Sequence, residues 1–425
     1  MDGLPKHWVL QTAPRLFNPW AVPSKVIVLS GRSRATAFLS PRSLCAVSPC
    51  LLRGHIPTLD SRPVTFYDSA RVDCGACAPQ LRPRPKKLMS SDGQLLELLR
   101  RTGVVTGSSP RLTPLSGGVS SEIYLVEDVG RKFVCKRALA KLRVREDWFA
   151  DVSRNRAEQS YLRYVGSFLP AAVPRMLEGH PEHGFFTMEF VGDGFTNWKQ
   201  LLLAGEVHAA HARRAGQTLG EIHRRSFGQQ ALAADFNPME TFRQLRLDPY
   251  LGRAAERHPD LAPQLRGEAD RLAATRDCLV HGDYSPKNLL VSHDRLVILD
   301  CEVACFSDAA FDLAFLINHF FLKTLHHHPA AFEGAQLVAA CWRAYTDARG
   351  SEANDALEAR TVRLLPMLML ARVDGKSPAE YLTQKAKQNF VREFVRPAIR
   401  EPGKSLERFT RRWQEALAQH PAALT

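Results

Sequence analysis

The sequence predicts an α+β, bilobal chain: a small antiparallel β-sheet N-lobe followed by a larger, mainly helical C-lobe. Three observations carry this. Five strand-like runs lie between residues 111 and 191, with one long helical stretch between the third and the fourth. From about Asn197 the apolar spacing is helical, except in 279–300, which alternates loop and short β-runs. Finally, 45% hydrophobic residues in 425 supply a sizeable core.

Taken in order, residues 1–88 stand apart. They hold 11 of the 27 prolines and 13 Lys/Arg against 4 Asp/Glu, so +9 of the net +13 sits there and +4 in the rest. No periodicity persists, and the expectation is a disordered or non-native extension upstream of a start at Met89. Two alternatives stay open. One is an organelle-targeting peptide, Arg-rich and acid-poor, although its prolines oppose an amphipathic helix. The other is a metal site built from Cys45-x4-Cys50 and Cys74-Gly-Ala-Cys77.

Ser90-Ser91-Asp92 reads as a cap for a short helix carrying Leu95, Leu96, Leu98 and Leu99. Strands are expected at 111–115, 122–127, 132–137, 173–177 and 185–191, and a helix at about 147–165. The sheet lobe is thus placed at 89–191 and the helical lobe at 192–425. Trp148, Trp198, Trp342 and Trp413 read as packing anchors, and His326-His327-His328 suits the negative end of a helix dipole.

The bulk properties also exclude. With only +4 outside the first 88 residues, no nucleic-acid groove is indicated. No run of 18 uncharged apolar residues occurs, and 364–371 is too short to span a membrane. The five later cysteines have no disulfide-framework spacing, so a reduced, cytoplasmic setting is expected.

The strongest chemical signal is His281-Gly282-Asp283-Tyr284-Ser285-Pro286-Lys287-Asn288, followed by the β-run Leu296-Val297-Ile298-Leu299-Asp300. Phosphoryl transfer needs one carboxylate to orient a hydroxyl and take its proton. It also needs a carboxamide and a second carboxylate to hold Mg2+ on phosphate oxygens. Asp283 is read as the base, Asn288 and Asp300 as metal ligands, and Glu302 as help for a second metal or its waters. Lys287 offers a cation for the migrating phosphoryl group.

This block resembles the motifs of the aminoglycoside phosphotransferase and choline kinase-like family, small-molecule kinases that share the protein-kinase fold. The resemblance covers roughly residues 110–385. Ser307-Asp308-Ala309-Ala310-Phe311-Asp312-Leu313 is similar to the family's G-D-P-A-x-D-L segment, with Ser307 for Gly and Ala309 for Pro in a turn. The resemblance implies ATP and Mg2+ as cofactors. It also implies that Asp312 braces the catalytic loop from behind, together with His281.

Upstream, Ser116-Gly117-Gly118-Val119-Ser120 lies between two strands. Its glycines admit phosphate oxygens to the backbone and its serines add donors. Set in the kinase-like order, Lys136 would pair with the α/β-phosphates, held by Glu158 from the helix. The run through Met188, Glu189, Phe190 and Val191 resembles the hinge between lobes, where backbone groups would bond adenine and Met188 would line its pocket.

For the acceptor, 371–378 is the candidate. Its Gly and Pro are expected to break two helices and leave Arg372, Asp374 and Lys376 on a loop, or else to form a plain polar turn. Residues 309–425 hold 16 Lys/Arg against 12 Asp/Glu, which does not favour a polycationic substrate. The reading is therefore an ATP-dependent kinase of a small hydroxylated molecule, sugar-like metabolite or antibiotic. A catalytically silent relative should lack Asp283, Asn288 or Asp300, and all are present. A protein kinase should show Ala-Pro-Glu after Asp300, and none follows.

Overall fold

The computed structural model describes residues 91–115, 121–138, 154–330 and 332–420. Residues 1–90 with their cysteine pairs, Ser116, Gly117, Gly118, Ser120, Trp148 and the expected helix start at 147 lie outside the described residues.

The first helix, α1 (Ser91–Arg101), turns Leu95 and Leu99, four residues apart, into a small core with Val104, Tyr124, Val126, Phe133, Cys135 and Phe185. Its Asp92 accepts a 2.8 Å hydrogen bond from Tyr124 Oη. Five strands follow: β1 (Arg111–Pro114), β2 (Ser121–Asp128), β3 (Arg131–Ala138), β4 (Met176–His180) and β5 (Phe185–Glu189). They pair antiparallel in the order β1-β2-β3-β5-β4. Strand alternation then separates functions on β3. Phe133 and Cys135 face the small core, whereas Val134 and Lys136 share the opposite face. On the sheet packs α2 (Arg154–Gly166), which buries Glu158, Tyr161, Leu162 and Val165.

β4 begins three residues later than the sequence predicts, and the reason is local. Pro170–Ala172 forms a 3-10 turn, Pro174 has no N–H to donate, and the N–H of Arg175 goes to the Glu189 carboxylate at 3.2 Å. Ladder pairing therefore starts at Met176. β5 likewise stops at Glu189, freeing Phe190 and Val191 from the sheet.

The helical lobe begins with β6 (Thr196–Asn197) and α3 (Trp198–Leu203), capped by the Asn197 side chain. α4 (Ala209–Ser226) follows. α5 (Met239–Phe242) then runs into a π-helical stretch, Arg243–Gly252, and α6 (Arg253–Arg257) and α7 (Ala262–Ala274) come next. With β6, four more short strands form two antiparallel sheets: β7 (Cys278–Val280) with β10 (Cys305–Ser307), and β6, β8 (Leu289–Val291) and β9 (Leu296–Ile298) in that order. Five helices complete the lobe: α8 (Ala310–His327), α9 (Gly334–Arg349), α10 (Asp355–Asp374), α11 (Lys385–Arg400) and α12 (Leu406–Gln419).

α8 is buried along almost its whole length at the centre of this core. Trp198 and Trp413 are buried anchors, as predicted. His326 and His327 bond the backbone carbonyls of Tyr381 and Leu202 at 3.1 and 2.8 Å, beyond any effect of the α8 dipole. The five described cysteines are free thiols. Among the described residues no helix is long and apolar enough to cross a membrane.

α4 and α9 approach so closely that a Cβ on Gly216 would collide with the carbonyl of Cys341, and one on Gly220 would sit 2.7 Å from the Tyr345 carbonyl. Backbone cannot yield as a side-chain tip can. Gly216→Ala is expected to destabilise the protein by about 1–3 kcal/mol, read as a lowered denaturant midpoint at unchanged slope.

Candidate active site

Two hairpin-like pairings assemble the site. β7 delivers the chain to His281, where Gly282 takes φ +75°, a conformation open to glycine. A Cβ at Gly282 would also meet the Val303 carbonyl at 3.0 Å. Further on, β8 and β9 fold back on each other with Leu289 opposite Ile298. Asn288, just before the first strand, and Asp300, just after the second, therefore come to the same open end. That is the structural content of their twelve-residue spacing. Asp300 adopts φ +62°, a strained setting for a residue with a side chain, and it lies beside the proposed chemistry.

The loop is held from behind. Asp312, fully buried on α8, accepts the backbone N–H of His281 at 2.6 Å and of Gly282 at 3.0 Å. His281 Nδ1 accepts the N–H of Asp283 at 3.1 Å, so Nε2 carries the proton and donates to the Leu299 carbonyl at 3.1 Å. Burial holds this imidazole below its usual pKa, only partly offset by Asp312 and Asp283, which keeps it in that neutral tautomer. Asn288 Nδ2 donates to the Asp283 carbonyl at 3.0 Å, leaving its amide oxygen facing outward from that bond.

Asp283 is 3% exposed. Its Oδ2 meets Lys287 Nζ and Arg246 Nη2, each at 2.9 Å. Burial pushes its pKa up, yet the two cations outweigh burial and hold the carboxyl below its ordinary value. Arg246, which the sequence did not single out, comes from the π-helical stretch and also donates to the Gly282 carbonyl.

On the sheet side, Lys136 Nζ lies 2.7 Å from Glu158 Oε2 and 2.7 Å from Asp300 Oδ1. Burial favours the neutral amine, but Asp300 and Glu158 overcome it and keep the lysine charged. Asp300 is correspondingly depressed, chiefly by Lys136 working against burial. Burial leaves the Glu158 carboxyl pushed up to about 7 despite Lys136. Between the lobes lies a cavity of about 250 Å3. Leu115, Ile123 and Val134 line one side and Leu290 and Leu299 the other. Met188, Glu189, Phe190 and Val191 form one edge, and Lys136, Lys287, Asn288 and Asp300 the polar end.

Other residues singled out in the sequence are placed differently. Glu302 is engaged by the buried Arg154, whose Nε lies 3.1 Å from Oε2. Arg372 and Asp374 are not on a loop: α10 continues to Asp374 and buries both, closing with the Gly375 N–H on the Ala371 carbonyl at 2.8 Å. The Asp374 carboxylate pairs with Arg392 of α11 at 2.7 Å and accepts a hydrogen bond from His258 Nε2 at 2.9 Å, which ties α10 to α11 and to the turn after α6. The helix stops at Gly375, where a Cβ would collide with the Ala371 carbonyl, so the glycine does end it, but one turn later than would free Arg372 and Asp374. Lys376 lies in the turn after α10, its N–H on the Pro249 carbonyl at 2.8 Å. Further residues came only from the structure. Buried His223 reaches Asp312 Oδ2 at 3.4 Å and Tyr345 Oη at 3.0 Å, bracing the brace.

A family model described as the phosphotransferase enzyme family matches residues 111–353, more than half of the chain. Several solved structures are similar at low identity. Amicoumacin kinase hAmiN, in complex with AMP-PNP, Ca2+ and Ami, is 12% identical with a TM-score of 0.49, over 74% of this chain and 96% of its own. A choline kinase from Cryptosporidium parvum Iowa II is 12% identical with a TM-score of 0.46, over 75% and 99%. A choline/ethanolamine kinase family protein from Mesorhizobium loti is 16% identical with a TM-score of 0.43, over 79% and 99%. Among curated proteins none matches.

Proposed function

Because the chain belongs to the phosphotransferase enzyme family, we propose that it moves the γ-phosphate of ATP, with Mg2+, to a hydroxyl group of a small molecule. The observation that carries this reading is Lys136 bonded at once to Glu158 and to Asp300, across the cavity from the loop bearing Asp283. Lys136 would hold the α/β-phosphates, Glu158 keeping it aimed. The Val191 N–H has no backbone partner among the described residues and lies at the cavity edge, a donor for adenine; the Glu189 N–H is already given to the Arg175 carbonyl at 2.9 Å.

The residues present fit a hard cation. The Asn288 amide oxygen is left over by its Nδ2 bond, and Asp300 has an oxygen beyond the one on Lys136. Mg2+ held there would neutralise charge on the phosphate oxygens as the phosphoryl group moves. Asp283 would accept the acceptor hydroxyl's proton on Oδ1, since both cations occupy Oδ2. The hydroxyl oxygen bonds to the γ-phosphorus as the bond to the β–γ bridging oxygen breaks, releasing ADP. Lys287 is exposed enough to follow the transferring group.

The test is acceptor-dependent ADP release across a panel of hydroxylated metabolites and antibiotics. Release with at least one acceptor supports the reading; Mg2+-dependent nucleotide binding without any turnover would instead indicate a silent relative. Arg246 adds a second expectation. Arg246→Met removes one of the two cations on Asp283, so the base regains a proton at higher pH. The acid limb of the kcat/KM profile should move up by about one pH unit or more; an unmoved limb would mean Asp283 is not the group that titrates.

A further inference from the structure

α8 carries an anomaly. Lys323 is 1% exposed on a helix whose other buried polar side chains, Asp312, Asn318 and His319, are hydrogen-bonded, whereas among the described residues its ammonium has no carboxylate or carbonyl partner. What it meets is the face of Tyr381, with Nζ 4.6 Å from the ring centroid. Arg372 is the second member. It is 9% exposed; its Nη1 goes to the Ser377 carbonyl and hydroxyl, while its Nε is buried without an acceptor. Lys199 of α3, paired with Glu380, joins these groups to solvent.

His319, one turn before Lys323, bonds Tyr381 Oη at 3.4 Å. Burial, followed by the charges of Lys323, Arg372, Lys287 and Lys199, holds it well below its ordinary pKa. Asn197, which caps the helix carrying Lys199, donates from Nδ2 to the Lys287 carbonyl at 2.7 Å, so the cluster borders the loop whose lysine touches Asp283. Burial and Lys199 also bring Lys323 down to about 7, with Glu380 opposing. Lys323, Arg372, Lys199 and Lys287 face two carboxylates: Glu380, taken by Lys199, and Asp283, taken by Lys287, so neither is left for Lys323. A buried ammonium with no counter-ion costs stability, and an incoming anion would relieve that cost. The nucleotide phosphates do not answer the need, because neither Lys323 nor Arg372 lines the nucleotide cavity.

We propose that the phosphate acceptor bears, besides its reacting hydroxyl, an oxyanion that seats between Lys323 and Arg372 while the hydroxyl meets Asp283. This rests on the phosphotransferase reading and narrows it to anionic hydroxylated metabolites. Sugar phosphates, sulfonated sugars and hydroxycarboxylic acids share that chemistry. Neutral sugars and amino-sugars do not.

The full chain and Lys323→Met are compared. Methionine keeps the length and removes the charge, so the variant should melt no lower than wild type. Each acceptor class is assayed with ATP and Mg2+, and its three anionic arms identify the source of the oxyanion. The expected result is turnover of an anionic acceptor whose KM rises roughly 10- to 100-fold in the variant, with the KM for ATP unchanged. Preference for a neutral or amino acceptor, an unmoved acceptor KM, or a raised ATP KM overturns the proposal.

If no panel member turns over, inorganic phosphate is titrated into protein saturated with Mg2+ and AMP-PNP, which fills the nucleotide site. A rise in melting temperature in wild type but not in Lys323→Met supports the anion seat, and no rise in wild type overturns it. Failure to bind AMP-PNP at all sinks the phosphotransferase reading separately.

Discussion

Asp283→Asn is expected to lower kcat by about 10²–10⁴-fold while leaving Mg2+-dependent nucleotide affinity close to wild type. The amide keeps the side chain's size but cannot take the acceptor's proton. It would also lose the attraction of Lys287 and Arg246, both 2.9 Å from the carboxylate. Because Asp283 belongs to the loop and not to the Lys136–Glu158–Asp300 cluster, the nucleotide side should be spared. Pre-steady-state phosphoryl transfer together with equilibrium nucleotide binding separates the two effects. A variant that lost nucleotide binding as well would place Asp283 on the wrong substrate.

Lys136→Met should act on both binding and stability. It removes the cation shared by two carboxylates, and breaking a buried pair of this kind costs about 3–5 kcal/mol. The sign of its pH dependence follows from Glu158. That carboxyl is already pushed up to about 7 by burial with the lysine beside it, against 4.5 ordinarily. Without Lys136 its folded-state pKa climbs further. The folded form then binds more protons than the unfolded one, and stability falls as pH rises from 4.5 through the raised value. Urea midpoints over a pH series should show a larger deficit at alkaline than at acidic pH, and Glu158→Gln in the Lys136→Met background should flatten it. ATP affinity should fall at every pH.

What could be read in advance followed chain distance. Asn288 and Asp300 are joined by one hairpin, so their spacing alone speaks of a shared end. Lys136 follows from two-residue alternation on β3, with apolar Phe133 and Cys135 fixing which face it takes. The α+β plan likewise rests on local periodicities. The partners that tune these groups were not legible. Arg246 lies 37 residues before Asp283 and His223 lies 89 before Asp312, and arginines and histidines on helices carry no mark of their partners. Arg154 on Glu302 is the same case.

The acceptor region misled for a different reason. Gly375 and Pro378 do lie in the break between α10 and α11, but α10 runs up to Asp374, which Arg392 and His258 hold, so Arg372 and Asp374 stay on the helix. Lys323 did leave a trace in the sequence, a single lysine within the apolar run of α8. Only packing shows that no carboxylate waits for it.

The central claim is that Lys136, Asn288 and Asp300 form a nucleotide site that works through Mg2+. Calorimetric titration of the full chain with AMP-PNP, with and without Mg2+, tests it most directly, with Asp300→Asn alongside. The account predicts tight binding that needs Mg2+ and is strongly weakened in the variant. Folded protein that binds no nucleotide, or binds it equally well without Mg2+ and without the Asp300 carboxylate, would contradict it.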